Sequence, residues 1–278
     1  ILVASSADLL AQEKGDIWDS GKIESDASQW IAYQGKPLKR NARYYWKVKV
    51  YTNRGEADWS APAFWSMGLL NEADWQGQWI GLDRAASGDS ETQWSRLAAR
   101  YLRKEFALSK EVKRATVHIA GMGLYELFIN GQRIGDQVLA PAPTDYRKTI
   151  LYNTYDVTPQ LRKENAIGVT LGNGRFYTMR QNYKPYKIPT FGYPKLRLNL
   201  IVEYMDGSKE TIATNTSWKL TTEGAIRSNN EYDGEEYDAR KELGNWTQSG
   251  YDDKSWIAAQ RVSIPSGTLR AQIMPGMK

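Results

Sequence analysis

Glu231 through Glu242, EYDGEEYDARKE, sets six carboxylates around one glycine and two tyrosines. Such density suits glycoside hydrolysis, in which two carboxyl groups stand roughly 5 Å apart for retention or roughly 6.5–9.5 Å apart for inversion. Along a strand, Glu235 and Glu236 would point to opposite faces, leaving Glu236 and Asp238 on one face about 7 Å apart. That spacing suits inversion. It equally suits a calcium site, although no EF-hand spacing is present, or salt bridges to Arg240 and Lys241. Spacing alone favours a structural turn over cation or ligand contact, and either over catalysis.

Other segments offer sugar-contacting groups. LGNGRFY (171–177) lacks the third glycine, the lysine and the following helix of a phosphate loop. Its glycines permit a bend presenting Asn173, Arg175 and Tyr177, which can hydrogen-bond and stack with a sugar; a plain strand-end turn weighs as much. Asp145 and Tyr146, before Arg147, sit at a loop-to-strand entry within reach of sugar hydroxyls. Asp156 is expected to bind the backbone of the TPQL turn. The segment 178–195 carries three prolines and the rings Tyr183, Tyr186, Phe191 and Tyr193, which suits packing on a neighbouring domain or lining a groove. His118, in ATVHIAG, reads as a strand residue with a locally satisfied ring.

The elements holding these residues are strands. Leu196, Leu198, Leu200, Val202 and Tyr204 share one parity in LRLNLIVEY, and Trp46, Val48 and Val50 alternate with Lys47 and Lys49 in WKVKVY. Asn130-Gly131 and Asp206-Gly207 mark tight hairpins, and Gly-Glu-Ala at 55–57 marks another turn. No helix longer than two or three turns has a convincing apolar stripe. The class is all-β: two antiparallel β-sandwich domains, fibronectin III/Ig-like and then jelly roll. The expected divisions are 1–68, a sandwich lacking its first strand; 69–96, a connector docking through Trp75 and Trp79 and then an exposed loop; 97–262, the jelly roll; and 263–278, a linker.

Composition narrows the function classes. The 278 residues, 41% hydrophobic, suffice for two packed domains. A charge of +5 comes from 37 basic and 32 acidic residues, interleaved, which argues against nucleic acid. Mean hydropathy is −0.61, and no apolar run approaches a membrane span. The absence of cysteine rules out disulfides and thiolate chemistry, and one histidine leaves little for a Ser-His-Asp triad or a histidine metal site. Eleven Trp and 17 Tyr against five Phe favour flat rings with a polar handle. ILVASSADLLAQ is no convincing signal peptide, and both ends are expected to lie inside a longer protein.

Taken together, DIWDSGKI, YYWKVKVYTNRGEADWSAPAFWSMGLL, DWQGQWIG, GLYELFINGQRIGDQVLAP, TDYRKTILYNTYDVT, NAIGVTLGNGRFY and EYDGEEYDAR resemble the amino-terminal part of bacterial α-L-rhamnosidases, in order and over nearly the whole chain. The resemblance implies a parent enzyme that removes terminal α-L-rhamnose with inversion on an (α/α)6 barrel absent from this chain, so that no catalytic residue is expected here. It implies substrate recognition by the jelly roll, in some members with calcium; no cofactor is required. The matching positions are Asp145, Tyr146, Asn173, Arg175, Tyr177, Glu235, Glu236, Tyr237 and Asp238, with Arg175 and Phe176 departing from the Gly-Trp-Tyr common at that place. The expected partners are a rhamnose-containing carbohydrate and the C-terminal domains of the same polypeptide, in a periplasmic or extracellular setting, with the cytoplasm left open.

Overall fold

The computed structural model describes residues 1–27, 29–84, 97–178 and 191–278. Strands dominate, and the chain divides into two compact units, Ile1–Asp74 and Trp75–Lys278.

The first unit pairs β1 (Leu2–Ala4) with β2 (Trp18–Asp19) and β3 (Arg43–Lys47), and β3 with β6 (Ala63–Ser66); β4 (Tyr51–Thr52) and β5 (Gly55–Glu56) form a separate ribbon. Every pairing is antiparallel. One helical turn, Ala7–Ala11, is capped by Ser6 accepting from the Leu9 amide, and seats Leu10 against Leu2 and Ala4. Two sequence expectations change. The alternation expected in WKVKVY fails: Lys47 is buried, whereas Trp46 and Val50 are exposed. Lys47 tolerates this position by laying its ammonium over the Trp59 ring, 4.8 Å from the centroid. The ribbon turns at Asn53-Arg54, where the Thr52 hydroxyl accepts from the Arg54 amide, and Gly55-Glu56 lies in the returning strand.

The second unit faces two sheets across one core. The first runs β11 (Gln132–Arg133), β10 (Leu124–Ile129), β13 (Glu164–Gly172), β8 (Arg100–Ala107), β16 (Lys219–Thr221) and β19 (Ile257–Ala258). The second runs β20 (Gln260–Arg261), β7 (Ile80–Gly81), β14 (Lys195–Tyr204), β9 (Val112–Met122), β12 (Thr149–Asp156) and β21 (Thr268–Ala271), with β15 (Lys209–Ala213) also on β14. Leu196, Leu198, Leu200 and Val202 of β14 and Val117 and Ile119 of β9 meet Leu127, Ile129, Ile167, Val169 and Leu171 from the opposite sheet. At roughly 1.5–3 kcal/mol per fully buried aliphatic side chain, this layer is the main source of stability. The alternation in LRLNLIVEY is the direct trace of that packing.

The reverse face of β14 and β9 is covered too. Arg197 donates to the Gly77 carbonyl (2.6 Å) and lies over the Trp75 ring; Asn199 accepts from the Gly77 amide (2.8 Å). Trp75 and Trp79 are both buried. The exposed loop expected from 83 to 95 lies mostly outside the described residues, as do Tyr183 and Tyr186.

The Asn130-Gly131 hairpin forms with φ of 52° and 83°, the left-handed pair that a two-residue turn demands. Gly207, at φ 81°, closes the β14–β15 turn after Asp206. Asp156 binds the next turn as anticipated, accepting from the Thr158 amide (3.1 Å) and hydroxyl (2.6 Å). The expectation of a linker at 263–278 is corrected: β21 adds to β12 in parallel, and Val138 and Met277 form a further bridge.

Candidate functional site

EYDGEEYDARKE is a hairpin end followed by a helical cap. β17 (Ile226–Asn230) pairs with β18 (Gly234–Tyr237), and Asn230 Oδ1 accepts from the amides of Tyr232 (2.8 Å) and Asp233 (2.9 Å) to shape the turn. Gly234 takes φ 75°, which explains the glycine between the carboxylates. Glu235 and Glu236 alternate on β18, but Asp238 has left the strand. Its carboxylate caps a 3-10 turn at Ala239–Lys241 and forks onto Arg240, at 2.8 Å to both Nε and Nη2. The Arg240 guanidinium holds the Asp238 carboxyl at about 2, so it carries no proton to donate at neutral pH. The same-face pairing of Glu236 with Asp238 is therefore corrected. Burial, and secondarily Glu126, raise the Glu235 carboxyl. Tyr237 is exposed.

The bend after β13 also sends its side chains apart. Asn173 O accepts from the amides of Phe176 (3.1 Å) and Tyr177 (3.2 Å), and Gly174 at φ 49° allows the reversal. Asn173 is buried, donating to the Leu97 carbonyl (2.7 Å), and its amide donates to Asn229 Oδ1 (2.6 Å). Arg175 turns outward to Glu231 (3.2 Å). Tyr177 is buried and stacks on Tyr193, centroids 5.8 Å apart. Asn173, Arg175 and Tyr177 are thus not presented together, because a tight bend rotates successive side chains onto different faces.

The bend instead places Phe176 in a cleft of about 400 Å³ at one end of the second sheet, lined also by Tyr146, Phe191, Tyr193, Asp83 and Lys195. Topology explains the convergence. Lys195 opens β14, opposite Met122 at the end of β9 and Gly81 at the end of β7. Asp83 follows β7; Ser263, Pro265 and Ser266 follow β20, which pairs with β7. Tyr146 and Arg147 occupy the turn before β12, held by the amides of Lys148 and Thr149 donating to the Asp145 carbonyl.

One wall is aromatic. Tyr146 meets Phe176 edge-on (5.2 Å, 90°) and Phe191 edge-on (5.3 Å), while Phe176 and Phe191 stack at 5.9 Å. Tyr146 and Phe176 are buried; Phe191 and Tyr193 are half-buried and carry the accessible ring surface. Burial pushes the Tyr146 phenol up to about 12, so it stays neutral. The other wall is polar. Lys195 Nζ donates to Asp83 Oδ1 (3.0 Å), Asp83 Oδ2 (3.2 Å) and Ser263 Oγ (2.7 Å). At the rim, Arg147 pairs with Asp145 (3.0 Å).

Of the nine sequence candidates, Tyr146 alone lines this cleft, with Asp145 one partner removed through Arg147. Phe191 and Tyr193 belong to the ring-bearing segment for which groove lining was one of two expectations, whereas Asp83, Arg147, Phe176, Lys195 and Ser263 escaped sequence reasoning as site residues, since they come from five segments brought together by sheet pairing. Among the described residues no group of three or more His, Asp or Glu is placed to hold a metal ion, and no helix is long and apolar enough to cross a membrane.

Comparison with known proteins gives this architecture a family. Residues 110–278 match the alpha-L-rhamnosidase N-terminal domain, and residues 1–71 match the Rha78A-like N-terminal immunoglobulin domain. An alpha-L-rhamnosidase of Formosa agariphila is 41% identical over the whole chain, which spans 31% of that relative; one of Alteromonas is 34% identical over 91% of the chain and 28% of its own length. The alpha-L-rhamnosidase structure from Dictyoglumus thermophilum superposes with a TM-score of 0.86 at 41% identity, over 99% of this chain and 31% of that one. The Aspergillus terreus enzyme superposes at 0.79 with 33% identity, over 88% and 28%. The chain thus spans about a third of the relatives it matches, and it belongs to the family of alpha-L-rhamnosidase N-terminal domains.

Proposed function

We propose that this chain is the non-catalytic N-terminal region of an inverting α-L-rhamnosidase, assisting substrate recognition through the cleft beside Tyr146 and packing against the C-terminal domains of the same polypeptide. The observation that carries the reading is the end-to-end match at 41% identity with a relative named as an alpha-L-rhamnosidase, of which the chain spans 31%. Asp238, one of the two carboxylates whose spacing suited inversion, supports a non-catalytic role, because it is committed to Arg240 and to its cap.

The test is turnover of an aryl α-L-rhamnoside. The chain alone is expected to be inactive, whereas a polypeptide extended to the length of its relatives hydrolyses the substrate and releases the β-anomer first, seen by proton NMR. Activity of the chain alone, or α-anomer release by the longer protein, would overturn the proposal. Titration with L-rhamnose tests recognition: no binding at millimolar sugar would leave a structural spacer.

A further inference from the structure

Apolar side chains gather where the tail crosses the loop that follows β11. Residues 138–142 and 272–277 run antiparallel, pinned at one end by the Ala142 amide donating to Gln272 Oε1 (3.1 Å) and at the other by the Val138 amide donating to the Met277 carbonyl (2.8 Å). At and between those pins stand Val138, Leu139, Ile273, Met274 and Met277. All are exposed, Leu139 to 58%, Met277 to 61% and Ile273 to 95%. Single exposed aliphatics are ordinary, but five on two neighbouring segments make a patch of the kind that marks protein contact.

The attachment of the tail has inverted polarity. A tail that docked for its own stability would turn its large side chains inward. This one is held by main chain and polar groups: the Gln272 amide on the Tyr152 carbonyl (2.9 Å), the two pins, and Lys278 on Asp136 (2.6 Å). Its isoleucine and methionines are left in solvent. Leu139 adds to the pattern, for at φ 53° it takes a left-handed backbone that disfavours a bulky residue. Its neighbours fix it there, Val138 through Met277 and the Ala140 carbonyl through the Tyr125 amide (2.8 Å). Strain that presents an apolar side chain to solvent gains nothing within this unit.

The charges beside the patch are matched among themselves, Lys278 with Asp136 and Arg133 with Glu126 (3.2 Å), which gives an apolar centre and a polar rim. Branched aliphatics and thioethers offer no flat ring for stacking on a sugar, and they suit packing against another protein surface. Because Met277 is paired with Val138, whatever follows Lys278 leaves from within the patch and is held beside it at high effective concentration. The chain spans 31% of a relative that it matches end to end, and it matches as an N-terminal domain.

We infer that Val138, Leu139, Ile273, Met274 and Met277 form the docking surface for the domain that follows Lys278 in the same polypeptide, received through an apolar, charge-poor face of that domain. The inference rests on the packing role proposed above and adds the surface and the chemistry of the contact.

The experiment is methionine footprinting with hydrogen peroxide, which transfers one oxygen atom to the thioether and leaves the sulfoxide and water. It compares this chain with the polypeptide extended to the length of its relatives, with N-acetylmethionine amide as rate reference and peptide mass spectrometry as readout. Met205, exposed at the turn between β14 and β15, is the internal control. In the chain alone, Met205, Met274 and Met277 are expected to oxidise at similar rates. In the longer polypeptide Met274 and Met277 should slow by about tenfold relative to Met205. Ile273→Asp should leave the melting temperature of the chain alone unchanged, and should raise both protected rates in the longer polypeptide by about threefold or more. Equal rates for Met274 and Met277 in the two proteins would overturn the inference, as would protection untouched by Ile273→Asp. Protection already present in the chain alone, and growing with its concentration, would overturn it in favour of a second copy. Turnover of the aryl rhamnoside is read separately. An active longer polypeptide with unprotected methionines would overturn the docking surface alone; an inactive one with protected methionines would overturn the proposed function and leave the surface standing.

Discussion

At the scale of single residues, the carboxylate run and the lone histidine show how neighbours decide chemistry. Asp238 is drawn down to about 2 by Arg240, whereas Glu235, three positions earlier, is raised by burial. No spacing rule distinguishes them, because the difference lies in where the strand ends. His118 was legible as a strand residue, but not its depth: it is fully buried beside Trp75 and Tyr152, with Nδ1 3.0 Å from the Thr154 hydroxyl. Desolvation first, then Arg114, lowers its ring to about 4 from an ordinary value near 6.5. The folded state therefore prefers the neutral ring, and the unfolded chain takes up the proton first as pH falls. Stability from this group is complete above pH 6.5 and is lost progressively down to about pH 4, to the extent of about 3 kcal/mol. Urea unfolding of the wild type and of His118→Gln across that window should show the wild type losing about this much relative to the variant. Parallel curves would refute the assignment. As the chain has one histidine, its ring protons also report the titration directly by NMR.

At the scale of elements, periodicity revealed the central strands because each has one face in a single core. β14 is the clearest case, and both glycine-marked hairpins formed where their dipeptides stand. Crossings between sheets were not legible. β9 passes into β10 through Gly123 alone, moving the chain from one sheet to the other at φ 124°. A Cβ there would lie 2.2 Å from the Gly172 carbonyl oxygen. Gly123→Ala combines a disfavoured backbone with that clash, and a loss of about 3 kcal/mol or more is expected. An unchanged denaturation midpoint would show that the corner is slack. The tail strand was missed for a different reason: TLRA has no alternation worth reading, and its place depends on β12 already being there. Gly267, whose Cβ would sit 2.4 Å from the Tyr146 carbonyl oxygen, lets the tail close on the turn that carries the cleft. Ending the chain at Val262 removes β21 together with Ser263, Pro265 and Ser266. Rhamnose binding should then disappear, and the melting temperature should fall by about 2–4 °C per kcal/mol lost. Retained binding would mean that the tail wall contributes nothing to recognition in the cleft.

At the scale of the whole molecule, the likeness to rhamnosidase N-terminal regions was legible because many short motifs recur in fixed order, and order along a chain is visible without coordinates. The cleft was not, because its walls come from residues 83, 146, 176, 191–195 and 263–266, which become neighbours only after five strands have paired. The two units also differ in how much they bury. Ile1–Asp74 seats few large side chains, among them Leu2, Leu10, Tyr44 and Leu69, and much of its strand surface is exposed. Trp75–Lys278 holds the continuous two-sheet layer and a second cluster around Tyr101, Trp246 and Trp256, beside which Arg103 is buried and donates to the carbonyls of Trp246 and Gln248. Small units bury a smaller fraction of their surface and have less to set against chain entropy. Calorimetry of the chain should therefore resolve two transitions. The cooler is assigned to Ile1–Asp74, and the hotter, with the larger enthalpy, persists in a chain beginning at Trp75. A single transition whose calorimetric and van't Hoff enthalpies agree would show that the first unit owes its stability to the second.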